Sequence, residues 1–128
     1  MYSKNTKVAI IGCGYWGTNI IKTLLSLKMK NIYCYDKDYG NLKKIKERFK
    51  TTKLHYKINE ILKNKEIKIV FVCVPTYLIY RYAKILLKNK KNVFLEKPVS
   101  TSSKKILELI DLSKFYKVKI MTGYIYLY

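Results

Sequence analysis

Gly12-Cys13-Gly14-Tyr15-Trp16-Gly17 decides how this chain is read, because it stands between a short apolar run and a segment patterned as a helix. Val8-Ala9-Ile10-Ile11, just ahead of it, is wholly apolar, as expected of a strand buried on both faces. Behind it, residues 18–27 place Ile20, Ile21, Leu24, Leu25 and Leu27 at helical spacing. The three glycines therefore fall in a strand-to-helix turn. In a dinucleotide-binding fold the first of them, Gly12, permits the tight turn. Gly14 lets the backbone approach a pyrophosphate, and Gly17 lets the helix pack close to the strand. The free N–H groups and the dipole of the new helix then face the phosphates.

A glycine pattern of this kind needs a second element, an acidic residue about 20 positions on at the end of the next strand. Asn31-Ile32-Tyr33-Cys34-Tyr35 has the β-branched and aromatic content of that strand, and Asp36 follows it directly. Asp36 is placed to accept hydrogen bonds from a ribose hydroxyl pair. A carboxylate there repels a 2′-phosphate, which favours NAD over NADP, while Lys37 softens the preference. The other reading of Asp36 is that it opens a turn or caps the following helix.

The rest of the chain alternates helix and strand without repeats, the order of a doubly wound, Rossmann-type α/β sheet of about six strands with helices on both faces. Helices are expected at 39–50, 58–64, 78–88 and 104–115, and strands at 54–56, 67–74, 92–95 and 118–121. His55, in a short strand near the sheet edge, reads as structural. Ligands in such sheets bind outside the carboxyl ends of the strands. Cys73-Val74-Pro75-Thr76 and Glu96-Lys97-Pro98 end the fourth and fifth strands, so both face that cleft. Pro98 disfavours the α region at Lys97 and holds it extended at the cleft mouth.

At 128 residues the chain is expected to form one domain with a real core. The polar N-terminus gives no sign of a signal peptide, and no apolar run reaches the roughly 18 residues of a membrane helix. Cys13, Cys34 and Cys73 are odd in number and far apart, which suggests neither a disulfide framework nor a metal site but buried thiols of a reduced, cytoplasmic protein. The formal charge of +19 invites a nucleic-acid reading, yet all the basic residues except Arg48 and Arg81 are lysines, scattered over nearly every expected helix. A surface shaped for bases and phosphates would use more arginine. Salt-sensitive, non-specific adhesion to polyanions is expected, but no specific nucleic acid and no membrane.

The glycine loop, Asp36, Val72-Cys73-Val74-Pro75-Thr76, Glu96-Lys97-Pro98 and the closing Met121-Thr122-Gly123-Tyr124 together resemble the N-terminal cofactor domain of the glucose–fructose oxidoreductase and inositol dehydrogenase family (Gfo/Idh/MocA). The likeness covers the whole chain, 1–128. Gly-Cys-Gly-Tyr-Trp-Gly-Thr-Asn and the ending after Met121 are most similar to the branch that oxidises UDP-N-acetylglucosamine-type sugars at the 3-hydroxyl. The resemblance implies that Gly12, Gly14, Tyr15, Trp16 and Gly17 hold the pyrophosphate and Asp36 the adenosine ribose. Val74, Pro75 and Thr76 would line the middle of the dinucleotide, and Glu96 would approach the nicotinamide ribose. Lys97 would be the catalytic residue, hydrogen-bonding the reacting hydroxyl as hydride leaves for the nicotinamide. Ile79 departs from the family, where a histidine is common.

The resemblance also implies a C-terminal substrate domain, which a chain of residues 1–128 is expected to lack. A sugar or sugar-nucleotide substrate would need that second half. Three readings remain: the cofactor half of a sugar dehydrogenase, a stand-alone non-catalytic nucleotide-binding module or decayed gene fragment, and a basic nucleic-acid binder reusing the fold. Tyr124, Tyr126 and Tyr128 alternate with Ile125 and Leu127, an aromatic tail that suggests self-association when uncovered.

Overall fold

A computed structural model describes residues 3–123. Six parallel strands form one sheet: β1 (Lys7–Ile11), β2 (Asn31–Tyr35), β3 (Lys53–His55), β4 (Ile67–Val72), β5 (Asn92–Leu95) and β6 (Ile120–Thr122). Their spatial order is β3-β2-β1-β4-β5-β6. The chain moves outward from β1 in one direction, then returns to place β4 on its other side. That reversal between β1 and β4 opens a crevice at the carboxyl ends of the two central strands.

Helices α1 (Tyr15–Ser26) and α2 (Tyr39–Arg48) pack on one face, where Ile21, Leu24, Leu42 and Ile45 meet Val8, Ile10, Ile32 and Cys34. Helices α3 (Ile58–Lys63), α4 (Thr76–Lys88) and α5 (Ser103–Tyr116) pack on the other. There Ile61, Ile79, Ala83, Leu86, Leu87 and Leu109 meet Ala9, Ile11, Val70, Val72, Val93 and Leu95. The alternation along β1 sends Val8 and Ile10 to the first core and Ala9 and Ile11 to the second. Asp38 caps α2 by accepting a hydrogen bond from Gly40 N at 2.8 Å, and Ser102 caps α5 from Lys105 N.

Several expected boundaries move. β4 stops at Val72 rather than residue 74: Cys73 N still bonds to Ile11 O, but the chain then passes through Pro75 into α4. Thr76 belongs to α4 and not to a loop laid across the crevice: Pro75 precedes the helix as its N-cap and gives up no backbone donor the helix needs. α1 likewise starts at Tyr15, three residues before the expected start at residue 18. His55 sits on the edge strand β3, stacked on Tyr33 with 5.2 Å between ring centroids, in the structural place expected of it. Among the described residues no helix is long and apolar enough to cross a membrane, and no group of cysteine, histidine and acidic side chains is placed to hold a metal.

Candidate functional site: a cleft at the β1–β4 switch point

The glycine loop leaves β1 through Gly12, whose φ of +91° lies where L side chains are strained. A Cβ there would also stand 2.3 Å from Cys73 O, so only glycine lets the loop lie against the end of β4. A Cβ on Gly17 would come within 1.9 Å of Gly12 O, so the helix packs directly onto the loop's own backbone. Gly14 differs from both, since a Cβ there meets nothing within 4 Å. Its lack of a side chain leaves open space in front of the backbone. Gly14 is also the N-cap of α1, and no side chain caps the helix or places an acid in its first turn. The first intrahelical bond is Thr18 N to Gly14 O, so the N–H groups of Tyr15, Trp16 and Gly17 precede it at the positive end of the helix dipole.

Beside this helix end lies a cavity of about 320 Å³. Gly12 and Gly14 wall one side, Asp36 and Asn41 the second, and Val74 and Pro75 the third. Asp36 is largely buried, and its carboxylate is already engaged. Oδ2 accepts from Cys13 N at 2.8 Å and from Asn41 Nδ2 at 3.1 Å, and Oδ1 accepts from Asp38 N at 2.8 Å. Of the four lone-pair positions of a carboxylate, three are filled. Asp36 thus ties the turn into α2, and one acceptor position is left over by the bonds described. Asn41, in the first turn of α2, was not anticipated. The signal that could have found it is the need of a buried carboxylate for donors from the helix that follows.

The remaining predicted residues do not line this cavity. Tyr15 and Trp16 are 76% and 61% exposed and meet edge to face, 5.3 Å apart, at the loop's outer rim. Thr76 opens α4 behind Pro75. Glu96 and Trp16 both line a neighbouring cavity of about 440 Å³ on the α1 face of the sheet. Lys97 is exposed beyond β5, outside the 320 Å³ cavity, and its bond to Pro98 is cis. The structure thus brings Gly12, Gly14, Asp36, Val74 and Pro75 to one cleft, and sets Trp16 and Glu96 in the next.

The thiols near the cleft are held protonated. The Cys34 thiol and burial push Cys13 well above the ordinary thiol range, and burial with the Glu96 carboxylate pushes Cys73 up to about 12. Neither is poised as a nucleophile. Burial also raises the Tyr82 phenol, which lines the cleft near Tyr35. Ile79, where a histidine was expected from the resemblance, is buried in the core beneath α4.

The crevice, its glycine cradle and the uncapped helix end fit a dinucleotide: the open approach at Gly14 admits a phosphate that any side chain there would crowd. Residues 6–124 match the oxidoreductase family with an NAD-binding Rossmann fold (GFO_IDH_MocA), and the chain belongs to that family. It is an NAD(P)-binding Rossmann domain. An uncharacterized oxidoreductase of Synechocystis sp. is 31% identical over 126 residues, covering 95% of this chain and 33% of the relative. Myo-inositol 2-dehydrogenase of Thermotoga maritima is 26% identical, covering 92% of this chain and 36% of the enzyme. The chain thus spans about a third of the length of these curated relatives. Three solved structures share the fold. A protein of gentamicin A biosynthesis in complex with NAD has a TM-score of 0.85 at 20% identity over 94% of this chain and 35% of its own. A 3-ketoreductase of Actinomadura kijaniata with NADP and TDP-benzene has 0.85 at 19%, over 96% and 38%. A UDP-N-acetylglucosamine 3-dehydrogenase of Acidithiobacillus ferrooxidans has 0.80 at 14%, over 91% and 37%.

Proposed function

We propose that this chain is the NAD-preferring cofactor half of a cytoplasmic dehydrogenase that oxidises a hydroxyl of a sugar or sugar nucleotide, with hydride passing to the nicotinamide. The observation that carries this reading is the single open acceptor position of Asp36, beside a glycine loop whose Gly14 faces empty space. The loop and the α1 N–H groups would hold the pyrophosphate, Asp36 one adenosine ribose hydroxyl, and Val74, Pro75 and Thr76 the middle of the cofactor. The bound dinucleotide would supply the hydride acceptor. Glu96 would approach the nicotinamide ribose, and Lys97 would hydrogen-bond the reacting hydroxyl and help it lose its proton. The sugar-nucleotide branch rests on motif likeness, with support from neighbours whose names include a UDP-N-acetylglucosamine 3-dehydrogenase and a complex with TDP-benzene. Turnover would need the further polypeptide that the relatives carry, since orienting two reactants accounts for roughly 7–11 kcal/mol of a barrier. The small molecule, and not a nucleic acid, is the proposed partner.

Calorimetric titration tests the cofactor assignment. The chain should bind NAD more tightly than NADP. Asp36→Ala should weaken NAD by about tenfold or more, the value of a hydrogen bond to a charged acceptor, and narrow the preference. Equal or tighter binding of NADP by the unaltered chain would overturn the preference.

A further inference from the structure

At the opposite end of the sheet from the dinucleotide cleft, a cavity of about 600 Å³ is lined by Lys63, Lys65, Lys68, Lys88, Lys90 and Lys91. They come from the last turn of α3, the start of β4, the last turn of α4 and the turn into β5, which the parallel sheet brings together at its amino-terminal edge. Lysines that read as scattered along the sequence thus meet at one place. No acidic side chain and no aromatic ring lines the cavity.

The needs of the helix ends do not account for this cluster. The carbonyls in the last turn of α4 are met by backbone N–H groups, with Asn89 N donating to Ile85 O, Lys90 N to Leu87 O and Lys91 N to Leu86 O. Lys91 is buried, and its ammonium donates to Asn64 O and Ile67 O. Burial and the neighbouring Lys68 charge lower its pKa, so positive charge is already crowded at this end of the sheet. The other five lysines are exposed, and among the described residues none of their ammonium groups has a salt-bridge or hydrogen-bond partner. Glu66, the carboxylate nearest to them in sequence, is bound by Lys7. An anion seated among these cations would relieve their mutual repulsion.

The lining also selects the kind of anion. Arginine, whose planar fork grips one phosphate or carboxylate in two places, is missing from it, and so is any ring on which a base could stack. Lysines are point charges, and several around one cavity suit a ligand that carries several charges close together and no further pattern to read. A chain of linked phosphates has that form. We propose that this cavity is a binding site for inorganic polyphosphate, with Lys63, Lys65, Lys68, Lys88 and Lys90 as its exposed cations and Lys91 as its buried one. The site is separate from the cofactor cleft and does not depend on the dinucleotide reading.

Tripolyphosphate is the probe, titrated by calorimetry into the unaltered chain, into Lys65→Ala/Lys68→Ala/Lys88→Ala, and into Lys22→Ala/Lys43→Ala/Lys104→Ala. The last variant removes equal charge from exposed positions outside the cavity. Expected is a loss of tenfold or more for the cavity variant and of less than twofold for the other, with affinity falling steeply as salt rises. Saturating NAD should leave the affinity for tripolyphosphate unchanged, because the glycine loop lies at the other end of the sheet. Equal losses in the two variants would reduce the effect to net charge, and loss on adding NAD would move it to the cofactor cleft. Either result overturns the proposal, as does the absence of binding by the unaltered chain. Tighter binding of a single-stranded oligonucleotide of equal charge would overturn it in favour of a nucleic acid. Circular dichroism checks each fold. Should the cavity variant not fold, acetylation mapping of the unaltered chain carries the test: tripolyphosphate should shield Lys65, Lys68 and Lys88 and leave Lys22, Lys43 and Lys104 reactive, and uniform shielding would rule the site out.

Discussion

Along β1 and β2, side chains on both faces of the sheet are buried: Val8, Ile10, Ile32 and Cys34 lie under α1 and α2, and Ala9, Ile11 and Tyr33 face the α3 and α4 side. Across the switch point the pattern changes. β4 and β5 bury Val70, Val72, Val93 and Leu95 under α4 and α5, while Ile69, Phe71, Phe94 and Met121 face an apolar groove of about 460 Å³ on the α1 side. The sequences of the two halves hardly differ, since Val8-Ala9-Ile10-Ile11 and Ile69-Val70-Phe71-Val72 are equally apolar. An apolar strand therefore specifies that both faces want cover, but not which of the described elements supplies it. The polar, directional cleft forms at the junction of the two halves, where the glycine loop and the end of β4 meet.

Paired truncations give the largest test of that contrast. Ile10→Ala, in the fully covered half, should cost about 2–5 kcal/mol, the usual price of emptying a core aliphatic site. Phe71→Ala removes a larger side chain but should cost less than half as much, because the ring faces the groove on one side. Urea midpoints at unchanged m-value measure both. Comparable losses would mean that the groove is closed in solution and that the two halves are alike.

The glycines sharpen the junction itself. Gly17→Ala puts a methyl against the backbone of Gly12, which cannot move cheaply, so an overpacking loss of about 1–3 kcal/mol is expected together with weaker cofactor binding. Gly14→Ala should leave stability within about 0.5 kcal/mol, as at a surface site free of contacts, yet still weaken dinucleotide binding. Thermal melts and NAD titrations of the two variants separate the roles. A Gly14→Ala protein that binds NAD normally would remove the phosphate from that position.

What was legible in the sequence follows the same division. Gly12 and Gly17 were readable because their positions forbid a Cβ, and Asp36 because it ends a strand at a fixed distance from them. The helix starts were less so. Tyr15 and Trp16 form the first turn of α1 but are exposed, so they add nothing to the apolar period that marked residue 18 as its beginning. Asn41 carries no pattern at all, only a bond to Asp36 that appears once α2 turns it inward. Lys91 was hidden among so many lysines, although it is buried and its ammonium donates to Asn64 O at 2.5 Å and Ile67 O at 2.9 Å. The aromatic run Tyr124 to Tyr128 lies outside the described residues.

The smallest effect expected is in association, and it bears on the open half alone. The groove is lined almost wholly by apolar side chains, with Leu27 and Met121 at its edge 62% and 47% exposed. A second copy of the chain, offering the same face, can bury that surface, and a formal charge of +19 opposes the approach until salt screens it. Weak dimerisation that strengthens from low to moderate salt is therefore expected in sedimentation runs at several concentrations. Met121→Lys should abolish it, at a loss of order 1 kcal/mol from one half-buried side chain. Leu107→Lys, which charges an exposed apolar position on α5 across the sheet, should leave it intact. Monomers at high concentration in moderate salt, or equal effects of the two substitutions, would show that the open face is inert toward its own copy.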